Sequence, residues 1–118
     1  MKYYAKLDDI EIKHDNIKEI KINLFQLGDD TLTNDKNRVE VEITADIYEM
    51  PLIKNIFSKK DKYFEAVLKI DEISYKIPKL YIYSLKNMYH DGIGVLNLVL
   101  KQGFLGLEKE IWVQIWKY

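Results

Sequence analysis

The chain of 118 residues contains no cysteine. That excludes disulfides, thiolate metal sites and cysteine nucleophiles, while leaving either redox compartment open. Histidine occurs only twice, as His14 and His90. Ser58, Ser74 and Ser84 stand in no nucleophile-elbow pattern, so no nucleophile is placed beside a base. His90-Asp91-Gly92 reads as a turn, in which Asp and Gly supply the backbone geometry. No G-x-G-x-x-G or P-loop pattern is present to cradle a phosphate. Asp29, Asp30 and Asp35 lack the alternating acidic spacing and late Glu of an EF-hand loop. The expectation is a non-enzyme with no cofactor and no metal.

Nor does charge of either sign dominate. Eighteen basic and nineteen acidic residues leave a net charge of −1, spread without a basic stripe, so a nucleic-acid partner is not expected. No run approaches the roughly 18 apolar residues of a membrane helix, so no membrane insertion is expected. The opening MKYYAKLDDIEIK has no apolar core of a secretory signal. This points to a cytoplasmic protein, with any export taking another route.

What remains is an ordinary globular composition, 47% hydrophobic and 31% charged, long enough for one domain spanning 1–118. A chain of this size buries roughly two-thirds of its unfolded surface. Nine tyrosines against four phenylalanines and two tryptophans are the one oddity. Such residues suit half-buried strands and partner surfaces, where a ring meets a wet edge.

Period-2 alternation marks strands at Lys2–Leu7, Ile17–Leu27 and, most clearly, Arg38–Tyr48. There Val39, Val41, Ile43, Ala45 and Ile47 share one face, with Glu40, Glu42, Thr44 and Asp46 opposite. One side is therefore buried and the other wet. Pro51 suits the first turn of a helix over about 50–60, with Leu52, Ile53, Ile56 and Phe57 at helical spacing. Tyr63–Ile70 and Ile73–Leu85 form a hairpin across Asp71-Glu72, although no glycine marks the turn. Pro78 makes the second arm an edge, bulged or bent at that point. Asn87–Gly94, NMYHDGIG, reads as a loop. Ile93–Lys101 and Leu107–Tyr118 are the last strands, apolar on both faces and hence covered on both sides. Gly28–Asn37 is a polar loop longer than hairpins need, as functional loops often are. The fold class is mainly β (α+β): an antiparallel barrel or two-sheet sandwich of about seven strands with one short helix.

The segment VEVEITADIYEMPLIKNIF is a strand feeding a helix. It is followed by YFEAVLKIDEISYKIPKLYIYSLKNMYHDGIGVLNLVLKQ, a hairpin, an aromatic-rich strand and a closing alternating strand. This order resembles the family of the Hcp proteins of type VI secretion systems and phage tail-tube proteins. The resemblance implies a β-barrel with a helix on its side, self-association head-to-tail into rings, and an inter-ring arm at the 28–37 loop. It implies interface residues Asp29, Asp30, Thr31, Leu32, Thr33, Asn34 and Asp35, with Tyr81, Tyr83, Trp112 and Trp116 on the strands. Other injection-machine proteins or secreted effectors are the further partners implied. Two alternatives stand beside it. One is a small β-barrel binding module (immunity, adaptor or baseplate protein) that recognises one protein partner. The other is a ligand barrel with aromatics lining a cavity.

Overall fold

The computed structural model describes residues 1–26, 37–47, 50–90, 93–103 and 114–117. Eight strands run in chain order: β1 Tyr3–Leu7, β2 Ile10–Ile12, β3 Ile17–Gln26, β4 Asn37–Asp46, β5 Phe64–Ile70, β6 Ile73–His90, β7 Ile93–Gln102 and β8 Gln114–Lys117. A 3-10 turn, His14–Asn16, separates β2 from β3, and helix α1, Met50–Phe57, separates β4 from β5. All ladders are antiparallel, in the order β2-β1-β5-β6-β7-β4-β3, with β8 attached to β6 off that path. The class is the expected one, mainly β with one short helix. The sheet is open: β2 and β3 end the path, and no ladder joins them among the described residues.

The open ladder nevertheless rolls onto one core. Buried residues of β1 to β7 and α1 form a single cluster, and β1 packs near β3 although the two lie toward opposite ends of the path. In β4 every inward residue expected from the alternation, Val39, Val41, Ile43, Ala45 and Ile47, is buried. Leu96, Leu98 and Leu100 of β7 lie beside them in register, Leu98 directly opposite Ile43. The outward residues of β7, Val95, Asn97, Val99 and Lys101, are only half-buried, so this strand is not covered on both faces.

Two turns without glycine are built on aspartate. Asp8 and Asp71 both take positive φ, 54° each, a region that Asp tolerates better than most side chains. Each uses the turn to clamp the β1–β5 ladder. Asp8 donates its N–H to the Glu65 carbonyl (2.8 Å) and accepts the Glu65 N–H on its carboxylate (2.9 Å). Asp71 does the same with Lys2 at the other end, at 2.8 and 2.9 Å. The carboxylate thus does what a glycine could not: it satisfies a donor beyond the last ladder pair.

Pro78 lies in β6, which proves to be the most connected strand rather than an edge. It pairs β5 through Ile73–Leu80, β7 through Leu80–His90 and β8 through Ile73–Lys76. Proline is tolerated because its missing donor falls in the gap between the β8 and β7 ladders. The expected bulge is there: the β5–β6 register shifts between Phe64 and Ala66, and Lys79 has φ 61°. β6 therefore joins two parts of the continuous sheet, β2-β1-β5-β6 with β8 through its first half and the four strands β6-β7-β4-β3 through its second. Strands that change sheet at a bulge make the corners of such folds.

Two further differences from the sequence reading concern hairpins. Residues 87–90 and 93–94 are not loop, because His90 pairs Ile93 and β6 continues to His90. The sequence reading placed a turn at His90-Asp91-Gly92; Asp91 and Gly92 lie outside the described residues, and β6 and β7 extend to His90 and Ile93 on either side of them. β2 escaped notice because three residues are too few for periodicity to show.

Replacing Leu98, fully buried at the centre of the β4–β7 ladder, with alanine should cost about 2–5 kcal/mol. Glu42→Ala, on the opposite face, should stay within about 0.5 kcal/mol. Urea denaturation of the two variants checks the pair.

Candidate functional site

No group of three or more His, Asp or Glu side chains close enough to hold a metal exists among the described residues. No described helix is long and apolar enough to cross a membrane. The features with functional content are edges and one face of the second sheet.

That sheet, β6-β7-β4-β3, ends in two strand edges. Among the described residues, β3 is terminal along its ten residues. Among them too, β6 is terminal from Ile82 to His90 on the side away from β7, because β5 reaches only to Leu80. The β6 edge is approachable. Between Ile82–Lys86 and the end of α1, at Phe57 and Lys60, lies an open groove of about 340 Å³. Phe57 is 54% exposed, although the helical stripe placed it with the core. Only Ile53 and Ile56 of that stripe are buried, with Leu52 partly so. Lys60 covers the Phe57 ring, its Nζ 5.4 Å from the centroid.

The outward face of the same sheet carries balanced charge. Lys18, Lys21, Lys86 and Lys101 are matched by Glu19, Glu40, Glu42 and Asp46. Lys18 pairs with Asp46 at 3.2 Å and Lys21 with Glu19 at 3.5 Å. The Asn97 amide donates to Glu42 at 3.3 Å and to the Thr44 hydroxyl at 3.4 Å. Exposed pairs like these add little stability, so their content is the potential they present.

Of the residues implied as interface, two are fully placed. Tyr81 is half-buried opposite Lys101 and meets Tyr63 edge-on at 6.0 Å. Tyr83, 60% exposed, sits at the β6–β7 register shift with the Lys101 ammonium 3.6 Å from its ring centre, a cation–π contact. Tyr63 lies against Gly103, where a Cβ would come within 2.1 Å of the ring; the glycine is what admits the aromatic there. Trp116 is placed by its backbone in β8, opposite Ser74. Asp29, Asp30, Thr31, Leu32, Thr33, Asn34, Asp35 and Trp112 lie outside the described residues, as does all of the 28–37 loop except Asn37.

A clamp holds α1 to the β1–β2 turn. Just beyond the helix, Lys59 reaches Asp8 at 3.3 Å and Asp9 at 3.2 Å. The Lys59 ammonium, hydrogen-bonded to Asp9, holds that carboxyl below the ordinary carboxylate range. Asp9 in turn holds Lys59 above the ordinary amine value.

No protein-family model and no curated protein matches the chain. Solved structures do. A chain of the virion of a native gene transfer agent particle is similar with a TM-score of 0.58 and 13% identity, covering 86% of this chain and 91% of that one. A chain of the sheath-tube complex, in its extended state, of an extracellular contractile injection system called PVC gives 0.60 and 11%, over 99% and 89%. Hcp2 from Salmonella typhimurium gives 0.57 and 12%, over 99% and 95%. The likeness spans nearly the whole chain and shows an Hcp/tail-tube-like fold.

The clamp predicts a pH dependence with two limits. Asp9's depressed pKa contributes stability that is present above the ordinary carboxylate range and lost as pH falls through the lowered value. Lys59's raised pKa contributes stability that is present below the ordinary lysine value and lost as pH rises through the elevated one. Asp9→Asn should therefore melt slightly below wild type at pH 5–9, and the difference should vanish in acid. It should also shrink at about 1 M salt, because the pair is exposed. Thermal melts across pH and salt check both trends.

Proposed function

We propose that the protein is a structural, non-enzymatic tube subunit of a contractile injection system, closing head-to-tail into rings through the two edges of the β6-β7-β4-β3 sheet. The observation that carries this reading is the pair of terminal edges, β6 from Ile82 to His90 and β3, on opposite sides of one sheet whose fold is Hcp/tail-tube-like. Such edges are templates for pairing with another chain, and pairing between subunits uses main-chain bonds that demand no particular side chain.

Strand direction supports the joint. Four antiparallel strands leave β3 running opposite to β6. A copy related by rotation about an axis along the strands then presents its β6 antiparallel to the first copy's β3. Every joint is therefore antiparallel, and a heterologous contact of this kind closes if its rotation closes. Closure also removes the edges that would otherwise invite uncontrolled aggregation. One face of this sheet is covered by the subunit's own core, so the face with balanced lysines and carboxylates would line the lumen. Injection-machine proteins or secreted effectors are the partners such a tube would meet.

The loop at 28–37 would be the inter-ring arm. An arm that orders only on contact pays for its ordering at that step, so stacking would be weaker than ring closure.

The alternative, a small binding module for one protein partner, would use the same exposed Tyr83 and Phe57 without self-association. Light scattering after size exclusion, with negative-stain images of the same fractions, separates the two. Rings of about six subunits are expected, by the analogy of fold. A monomer at every concentration would leave the binding module. Removing residues 29–35 should abolish stacking of rings into tubes while leaving single rings intact, a result visible in the same images.

A further inference from the structure

The position of β8 does not follow from the ring joint. β8 and β7 lie on the same side of β6 and run in the same direction, so that β8 continues the line of β7. Gln102, at the end of β7, stands opposite Leu80, and Gln114, at the start of β8, stands opposite Lys76. Residues 77–79 separate those two positions on β6, whereas residues 103–113 separate them on the other side. Three residues would bridge the interval; the chain provides eleven. The surplus of eight is a contour length of about 27 Å when extended.

The place where β8 binds is built independently of it. Residues Ile73–Lys76 are held on their other side by the β5 ladder, with Ser74 opposite Lys69 and Tyr75 opposite Leu68. The Asp71-Glu72 turn bounds the slot at one end. At the other end Pro78 has no N–H to give. Its carbonyl is taken by the Gln102 amide at 3.1 Å, and the Lys79 carbonyl by the Gly103 N–H at 2.6 Å. A four-residue slot results, closed at both ends and open along its length. Within it Ser74 is fully buried, and its hydroxyl finds no hydrogen-bond partner among the described residues. An unsatisfied buried hydroxyl is a cost that this ladder carries whichever copy supplies β8.

We propose that Ile73–Lys76 of β6 is a strand-acceptor slot which, in the assembled protein, receives β8 from a neighbouring copy of this chain. The proposal rests on the ring reading above and adds a second, strand-exchanged contact to it. The occupant is the chain's own β8 because that strand already fits the slot in register. The surplus length lets it reach across a subunit boundary without disturbing β7. Exchange of an identical element between protomers needs no new interface chemistry. Each copy would then be donor on one side and acceptor on the other, the same head-to-tail sense as the edge-to-edge joint.

Absence of cysteine makes the test clean. Lys76 and Gln114 are Cα partners across the slot, a separation that a disulfide can span. Lys76→Cys and Gln114→Cys are made singly, and the two chains are mixed, unfolded, refolded together and oxidised. Within the assembled fraction, rapid and near-complete linkage between the two different variants, well above that of a mixture oxidised without refolding together, marks β8 of one chain in the slot of another. In the assembled fraction, a dithiothreitol-sensitive dimer band comprising a large share of the chains is expected on a denaturing gel. The double variant, carrying both cysteines, should give covalent ladders rather than monomers. Rings in which the double variant yields only intrachain links, or no links, would overturn strand exchange while leaving the ring reading intact. A wild-type protein that stays monomeric would overturn both.

Discussion

The bulge in β6 at Pro78 and Lys79 is the constraint on which the architecture turns. A strand of eighteen residues held straight would pair the same neighbours along its whole length. Here it changes neighbours at Leu80, leaving β5 and taking up β7. Everything functional follows from that change. It divides one ladder path into two parts, rolls them over a common core, and strips the second half of β6 of a partner on one side. The positive φ of Lys79 is costly for a side chain with a Cβ. It is held by the Gly103 N–H on the Lys79 carbonyl and the Gln102 amide on the Pro78 carbonyl.

Around that corner the molecule uses charge locally and sparingly. Aspartates end both sides of the β1–β5 ladder, and Lys59 draws the end of α1 onto the β1–β2 turn. Among its described side chains the helix buries Ile53 and Ile56, a narrow stripe for an element of eight residues that would not be stable alone. Docking and the lysine clamp together hold it in place, and its unburied end, Phe57 and Lys60, is left facing the β6 edge.

How far the sequence revealed this varies with the physics of each element. β4 was legible to the residue because a half-buried strand writes its two faces as strict alternation. α1 was legible through Pro51 and its apolar spacing, but Phe57 was assigned to the core because spacing cannot tell the rim of a stripe from its centre. Pro78 announced the bulge and was misread as an edge, because proline's intolerance of a ladder is satisfied equally by a gap between two ladders. The end of β6 was hidden by its own exposure, since Lys86 and Met88 on a solvent-facing arm look like loop. The two free edges were not legible at all. An edge is defined by which strand is missing beside it, a property of sheet order rather than of any residue. Tyr81 and Tyr83 were singled out by type, and the structure sets Tyr81 just before the β6 register shift and Tyr83 at it, both beside Lys101.

The even number of strands in the β6-β7-β4-β3 sheet bears on how such a chain can diverge. In the proposed ring, four strands make neighbouring copies meet in antiparallel sense. Gain or loss of a single strand would reverse one edge and turn every joint between copies parallel at once. In such a ring, drift within this sheet would be confined to substitution and to the insertion of whole hairpins, which preserve an even number. Variation in chain length would then be free to accumulate elsewhere, in turns and in the connection between β7 and β8. Sequence identities of 11–13% to chains sharing the fold show how little of the side-chain record the fold itself needs.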